Sequence, residues 1–80
     1  MKVEIITPDK KLFEGEAKSL ILPGADGSIG ILNNHAPLIT SLKAGKVKVT
    51  DDTQQVKTFE INGGVAEVQG GNKGVVVLAE

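Results

Sequence analysis

Turn-forming residues interrupt this sequence at short intervals, and that spacing restricts the fold more than any other feature. Groups of Gly, Pro, Asn and Asp recur roughly every 8–12 residues, and the segments between them are rich in Val, Ile and Leu. No segment has the i, i+3, i+4, i+7 apolar spacing of an amphipathic helix. The pattern therefore predicts an all-β sandwich or barrel without helices. The predicted turns include residues 23–30, 33–37, 51–54, 62–64 and 70–74.

The length of the chain bounds the number of domains. Eighty residues suffice for one domain, close to the lower limit for a single hydrophobic core, and without Cys no disulfide contributes. The N-terminus lacks a basic region followed by an apolar stretch, and no apolar run approaches the ~18 residues of a transmembrane helix. We expect one domain over residues 1–80, which is intracellular unless another protein carries it to a membrane.

Charge and aromatic content argue against nucleic-acid binding. Nine Lys are offset by ten Asp and Glu, Arg is absent, and Phe13 and Phe59 are the only aromatic residues. Proteins that bind single strands need a basic groove and aromatic side chains on which bases stack. The sequence predicts neither.

Residues that could perform catalysis are few and scattered. His35 is the only histidine and has no carboxylate near it in sequence, and the adjacent Asp51 and Asp52 are typical of a hairpin turn. The glycine-rich segments lack the spacing of a phosphate-binding loop. Lys10 lies too near the N-terminus for the modified lysine of a lipoyl-type carrier domain. We therefore predict no catalytic residue, metal ligand or cofactor.

Two apolar runs, at residues 20–22 and 75–78, contain no polar residue. A sandwich strand turns only one face into the core, so alternate residues of such a run need another explanation. Either Ile21 and Val76 or Val77 face a partner, or they are surface residues and packing at the end of a barrel. The sequence leaves both explanations open.

The segment over residues 24–40 carries the most specific signal. It contains Gly-Ser-Ile-Gly at residues 27–30 and His-Ala-Pro-Leu at residues 35–38. This order resembles the signature of the epsilon subunit of F-type ATP synthases. The resemblance continues in Gly-Gly-Val-Ala-Glu-Val at residues 63–68 and in the final strand, and it covers essentially all 80 residues.

The resemblance implies a fold and a role. The fold would be a ten-stranded antiparallel β-sandwich of the kind found in the N-terminal domain of epsilon. The role would be that of a non-catalytic subunit in the rotor of a proton-driven synthase, linking gamma to the c-ring and coupling rotation to ATP synthesis. It would lie on the cytoplasmic side of the bacterial inner membrane as a peripheral part of the complex. The alternative is a β-sandwich interaction module with an unrelated partner.

The resemblance also assigns contacts by position. Gly27, Ser28, Ile29 and Gly30 match a loop that meets the c-ring, and Ser28 stands where some members have a carboxylate. Positions facing gamma are matched by three further residues, which are Thr7, His35 and Thr40.

Many members of the family continue into a C-terminal helical hairpin, which binds ATP in some bacteria and inhibits hydrolysis. This sequence ends at the last predicted strand. Neither nucleotide sensing nor inhibition is therefore assigned to it. Whether it is a natural short form or part of a longer chain stays open.

Overall fold

Seven β-strands account for most of the chain in the computed structural model, which describes residues 1–71 and 73–80. They are β1 (Lys2–Ile6), β2 (Lys11–Glu16), β3 (Ser19–Gly24), β4 (Gly27–Leu32), β5 (Leu38–Thr50), β6 (Val56–Val68) and β7 (Val75–Ala79). No helix occurs in these described residues. The predicted all-β class is confirmed. The turn predicted at residues 70–74 includes Asn72, which lies outside the described residues.

The strands form one mixed sheet in the order β2-β1-β7-β6-β5-β3-β4. β1 and β7 run parallel, so the prediction of a wholly antiparallel sheet is wrong. Hairpin turns force their two strands to be antiparallel, but no turn joins β1 to β7. Their pairing instead aligns inward-facing residues, with Val3 beside Val75 and Ile5 beside Val77.

The predicted count of ten strands is also wrong, because β5 and β6 are long and continuous. Their pairing keeps one register from Leu38 opposite Val68 to Thr50 opposite Val56. Residues 62–64, predicted to be a turn, lie inside β6. Gly63 and Gly64 have φ values of 134° and 144°, which only glycine adopts readily, so the strand bends there without ending.

Each long strand thereby serves both halves of the sheet. β7 pairs with β6 at residues 64–68, whereas β3 pairs with β5 chiefly at residues 48–50. Phe13 of β2 and Phe59 of β6 have ring centroids 5.5 Å apart, although these strands are not neighbours in the sheet. The sheet therefore folds over on itself as a sandwich.

β3 and β4 form a tight hairpin where a longer loop was predicted. Only Ala25 and Asp26 connect the strands, and Gly24 pairs with Gly27 directly beside them. In a two-residue hairpin the pair that flanks the turn is hydrogen-bonded, and hydrogen-bonded pairs then alternate with pairs that are not. The next pair, Pro23 with Ser28, is therefore not hydrogen-bonded. The missing N–H of Pro23 therefore costs no bond to β4, and the strand continues through the proline.

One core lies between the two halves of the sheet. Its fifteen buried residues are small and branched aliphatics. β2 adds two partly buried hydrophobic side chains, those of Leu12 and Phe13. No polar side chain among the described residues is buried. The buried residues are Val3, Ile5, Ala17, Leu20, Leu22, Ile31, Leu42, Val47, Val49, Ile61, Ala66, Val68, Val75, Val77 and Ala79.

Asp51 organises the turn between β5 and β6. Its Oδ1 accepts hydrogen bonds from the Thr53 hydroxyl at 2.7 Å, the Thr53 N–H at 2.9 Å and the Gln55 N–H at 3.0 Å. These bonds, the Thr53 hydroxyl first, hold the pKa of Asp51 below its usual value.

We expect Asp51→Ala to lower the melting temperature at neutral pH, because three donors lose their acceptor. A folded-state pKa below the unfolded one contributes stability above the unfolded value, about 3.9, and that stability is lost as pH falls through the folded value. The melting temperatures of the wild type and the variant should therefore converge below about pH 4. Asp52→Ala is the matched control. A difference that persists unchanged at pH 2–3 (about one to two units below the unfolded value) contradicts the assignment.

Candidate partner-binding surfaces

Two side chains that could take part in chemistry form hydrogen bonds with residues close to them in sequence. The Nδ1 of His35 donates to the carbonyl oxygen of Ala36 at 2.7 Å, and the carboxylate of Asp51 is taken up by its own turn. Across residues 1–71 and 73–80, no group of three or more His, Asp or Glu side chains is arranged to hold a metal ion. Contacts with partners, as predicted from the sequence, would lie on the exposed surfaces of the sheet.

The four residues assigned to the c-ring side belong to strand β4 and not to a loop, which corrects the expectation. Ser28 and Gly30 are exposed, whereas Ile29 turns inward and packs partly on the core. A carboxylate is nevertheless nearby, because Asp26 is exposed in the two-residue turn just before β4. The sequence signal for this turn is Asp26 followed by Gly27, because Asp is common in turns and the φ of 136° at Gly27 favours glycine.

The three residues assigned to gamma do not cluster. Thr7 follows β1, and its hydroxyl donates to the Lys10 carbonyl oxygen at 3.0 Å and accepts from the Lys10 N–H at 3.1 Å. Thr40 is half-buried on the core-facing side of β5, opposite Ala66. His35 precedes β5. It lies beyond the last row of residues paired across β1, β7, β6 and β5, the row that contains Val3. Thr7 and His35 therefore lie at opposite ends of the same half of the sheet.

An apolar patch occupies part of the outer side of that half-sheet. Ile6, Leu78 and Val65 are direct neighbours on β1, β7 and β6. Val76 and Ile39 lie in the adjoining row of the same face, where the exposed Glu67 stands between them. The side chains of Ile39, Leu78 and Val65 are 71%, 54% and 40% exposed. We call the five apolar residues the apolar face. Isolated exposed Leu or Val is ordinary, but a contiguous group on a sheet face is typical of a contact surface.

The structure divides the three apolar residues singled out in the sequence. Val77 is 0% exposed and packs in the core, so its assignment as a partner-facing residue is wrong. Val76 is half-buried on the apolar face. Ile21 is exposed on the other half of the sheet, between Gly30 and Lys48. An unbroken run such as residues 75–78 does not reveal which alternate residues point inward, and therefore Leu78 was missed.

An open groove of about 360 Å³ adjoins the apolar face. Ile6, Thr7 and Pro8 line one side, and Leu78 and the chain end line the other. Thr7 is thus continuous with the apolar face. This is the one gamma-side position that the structure joins directly to an exposed apolar surface.

A charged network covers the outer side of β1 and the edge strand β2. Lys11 Nζ lies 2.8 Å from Glu14 Oε1 and 3.2 Å from Glu4 Oε2, and Lys2 Nζ lies 3.1 Å from Glu14 Oε2. Hydrogen bonds from Lys11 and then Lys2 hold the pKa of Glu14 below its usual value, and the same pairs raise the pKa of both lysines. This edge of the sheet is therefore lined with charge.

Comparison with known proteins gives one consistent family. The beta-sandwich domain of the ATP synthase delta/epsilon chain matches residues 1–80. The ATP synthase epsilon chain of Chlorobium limicola is 43% identical over 79 residues, covering 99% of this chain and 89% of that protein. The epsilon chain of Caulobacter vibrioides is 45% identical over 76 residues, covering 95% and 85%. That of Sulfurimonas denitrificans is 42% identical over 80 residues, covering 100% of this chain but 60% of that protein.

Two solved structures share the fold. A chain of the Euglena gracilis mitochondrial ATP synthase, from an OSCP/F1/c-ring structure, superposes with a TM-score of 0.87 at 19% identity, over 96% of this chain and 48% of that one. A chain of the Tetrahymena thermophila mitochondrial ATP synthase, from a central stalk/c-ring structure, gives 0.74 at 23% identity, over 98% and 61%. At these identities the likeness shows the fold alone.

Proposed function

This chain belongs to the ATP synthase delta/epsilon chain family, and from that membership we propose that it is a non-catalytic subunit of the central stalk of a proton-driven F-type synthase. In this role it links gamma to the c-ring and couples rotation to ATP synthesis, as a peripheral part of the complex on the cytoplasmic side of the bacterial membrane. The observation that carries the proposal is the match over nearly the whole chain to proteins named ATP synthase epsilon chain, at 42–45% identity. In the described residues no helix is long and apolar enough to cross a membrane.

A coupling subunit has to transmit torque without deforming, and the packing supports that role. One core draws buried residues from six strands and is completed by the partly buried side chains of β2. The two 13-residue strands pass through both halves of the sheet, so the halves are joined by continuous main-chain hydrogen bonding. We infer that residues 1–80 act as one rigid domain.

We assign gamma to the apolar face and its groove. Thr7 lies in that groove, and the face extends across four strands towards the end where His35 lies. Burying Ile39, Leu78 and Val65 against a partner removes exposed apolar area from water, worth ~25 cal/mol per Å² before the costs of association. The c-ring is assigned to the start of β4, where Ser28, Gly30 and the turn carboxylate of Asp26 are exposed.

The assignment is tested by recovering partners with tagged protein from membranes of its own organism. We expect gamma and c subunits to co-purify with the wild type, and Leu78→Asp to reduce the recovery of gamma about tenfold or more, because an unpaired carboxylate enters an apolar contact. Circular dichroism should show a folded variant, since Leu78 is 54% exposed.

Val56→Asp is the matched control for that experiment. It introduces the same charge on a strand residue of similar exposure, 49%, outside the apolar face. It should leave the recovery of gamma unchanged. Equal loss in both variants contradicts the assignment of gamma to the apolar face, and recovery of neither subunit by the wild type contradicts the proposed function.

A further inference from the structure

The outer edge of β4 is an unpaired strand edge. β4 is the last strand of the sheet, and only β3 pairs with it. Within the described residues, the main-chain N–H and C=O groups of Ser28 and Gly30 make no hydrogen bond outside the sheet. Such an edge is a template on which another strand can pair.

The hairpin register identifies the main-chain groups that point outward. The Gly24–Gly27 pair beside the turn is hydrogen-bonded, so alternation assigns bonds to the Leu22–Ile29 pair but not to Pro23–Ser28. The N–H of Ala25 donates to the Ser41 carbonyl oxygen of β5 at 3.0 Å. This agrees with the alternation, because successive residues direct their main-chain groups to β4 and to β5 in turn. Hence the N–H and C=O groups of Ser28 and Gly30 face away from β3.

The two edges of the sheet differ in how they are protected. β2 carries Lys11 and Glu14 in ion pairs, and charges of this kind discourage strand addition. β4 has the sequence Gly-Ser-Ile-Gly-Ile-Leu, which contains no charge and no proline. A Cβ built at Gly30 meets nothing within 4 Å, so the outer face of β4 is uncovered at this residue.

We propose that the free edge of β4 receives an extended main-chain segment of a neighbouring subunit, which adds to the sheet as a further strand and bonds Ser28 and Gly30. The identity of the neighbour as a subunit of the synthase rests on the proposed function. The mode of contact, main-chain pairing instead of side-chain docking, rests on the register and the edge composition.

The side chain of Ile29 indicates the chemistry of that segment. Ile29 points to the core side of the sheet but is only partly covered, because no strand lies beyond β4. The added strand would place alternate residues next to it on the same side. The segment should therefore be uncharged and have an apolar residue facing Ile29.

A second copy of this chain is the weaker candidate for this edge. An edge of six residues spans about 20 Å, and strands pair about 4.8 Å apart. Pairing along this edge alone therefore buries far less surface than the roughly 800 Å² per partner of a stable interface. A segment held close by further contacts within an assembly meets this requirement, whereas edge pairing alone does not.

The test compares Gly30→Pro with Gly30→Ala in binding to the isolated gamma subunit and c-ring of the same organism. Proline removes the outward N–H and is tolerated on an edge strand whose N–H faces solvent, so the fold should persist. We expect Gly30→Pro to bind about tenfold or more weakly than Gly30→Ala, because a main-chain bond is lost and its acceptor is left unpaired. Gly30→Ala keeps the N–H and controls for the added side chain.

Amide hydrogen exchange of the wild type gives a second measurement that does not depend on the variant folding. On assembly, the Ser28 and Gly30 amides should slow about 100-fold or more, while those of β2 keep their rates. Amides at Ser28 and Gly30 that stay fast in the assembled complex overturn the proposal, as does equal binding of the two variants. If the wild type binds neither gamma nor the c-ring, the proposed function fails, and the neighbour named here fails with it.

Discussion

Gly64→Ala is expected to destabilise the fold severely. A Cβ at Gly64 would lie 2.1 Å from the Leu78 carbonyl oxygen and 3.0 Å from the Ala79 Cα, and both of these are main-chain atoms of the neighbouring strand. The φ of 144° adds strain of about 1–3 kcal/mol for any residue with a side chain. Relieving the overlap requires β7 to move away from β6, which breaks part of their hydrogen-bonded ladder.

The expected cost exceeds about 4 kcal/mol, when the steric overlap is added to the backbone strain. A chain of this length has a free energy of unfolding of roughly 4–12 kcal/mol, from the usual 0.05–0.15 kcal/mol per residue. The loss removes all of that stability at the lower end of the range and at least about a third of it at the upper end. The measurement is urea unfolding followed by the β-sheet circular dichroism signal.

Substitutions at two other glycines distinguish the steric overlap from the backbone strain. Gly27 has a φ of 136° but open space around its Cβ position, so Gly27→Ala should cost only the strain, about 1–3 kcal/mol. Gly30 has open space and no positive φ, and Gly30→Ala should change stability by less than about 0.5 kcal/mol. If Gly64→Ala were no worse than Gly27→Ala, the close packing of β7 on Gly64 would be incorrect.

Leu22→Ala is expected to have the second largest effect. Leu22 is 0% exposed and lies in β3 among the largest fully buried side chains. Truncating such a leucine removes its buried methyl groups and leaves a cavity, at a cost of about 2–5 kcal/mol. The free energy of unfolding should fall by that amount, which is a large fraction of the roughly 4–12 kcal/mol expected for a chain of this length.

Leu32→Ala is the matched control, since Leu32 carries the same side chain on the paired strand β4 but is 63% exposed. Its effect should stay within about 0.5 kcal/mol. Equal losses in the two variants would mean that Leu22 does not face the core. Chemical unfolding of both proteins at one pH and temperature decides this.

Much of this protein follows from local sequence. Alternating apolar residues separated by turn residues predicted an all-β fold, because side chains on a strand alternate between faces whatever the strand pairs with. The order of motifs from residue 24 to residue 40 predicted the family. The turn at residues 51–54 was also predictable, since the carboxylate of Asp51 bonds groups only two and four residues away.

Tertiary structure decided the features that depend on pairing between distant strands. Nothing in the local sequence distinguishes a turn at Gly63–Gly64 from a bend in a continuous strand; the choice depends on β5 and β7 pairing on either side. The parallel pairing with β1 likewise decides which residues of the run at 75–78 point into the core. It buries Val77 and exposes Leu78. A shift of one residue exchanges the two faces at no local cost, and only the core that the assembled sheet must enclose selects between them.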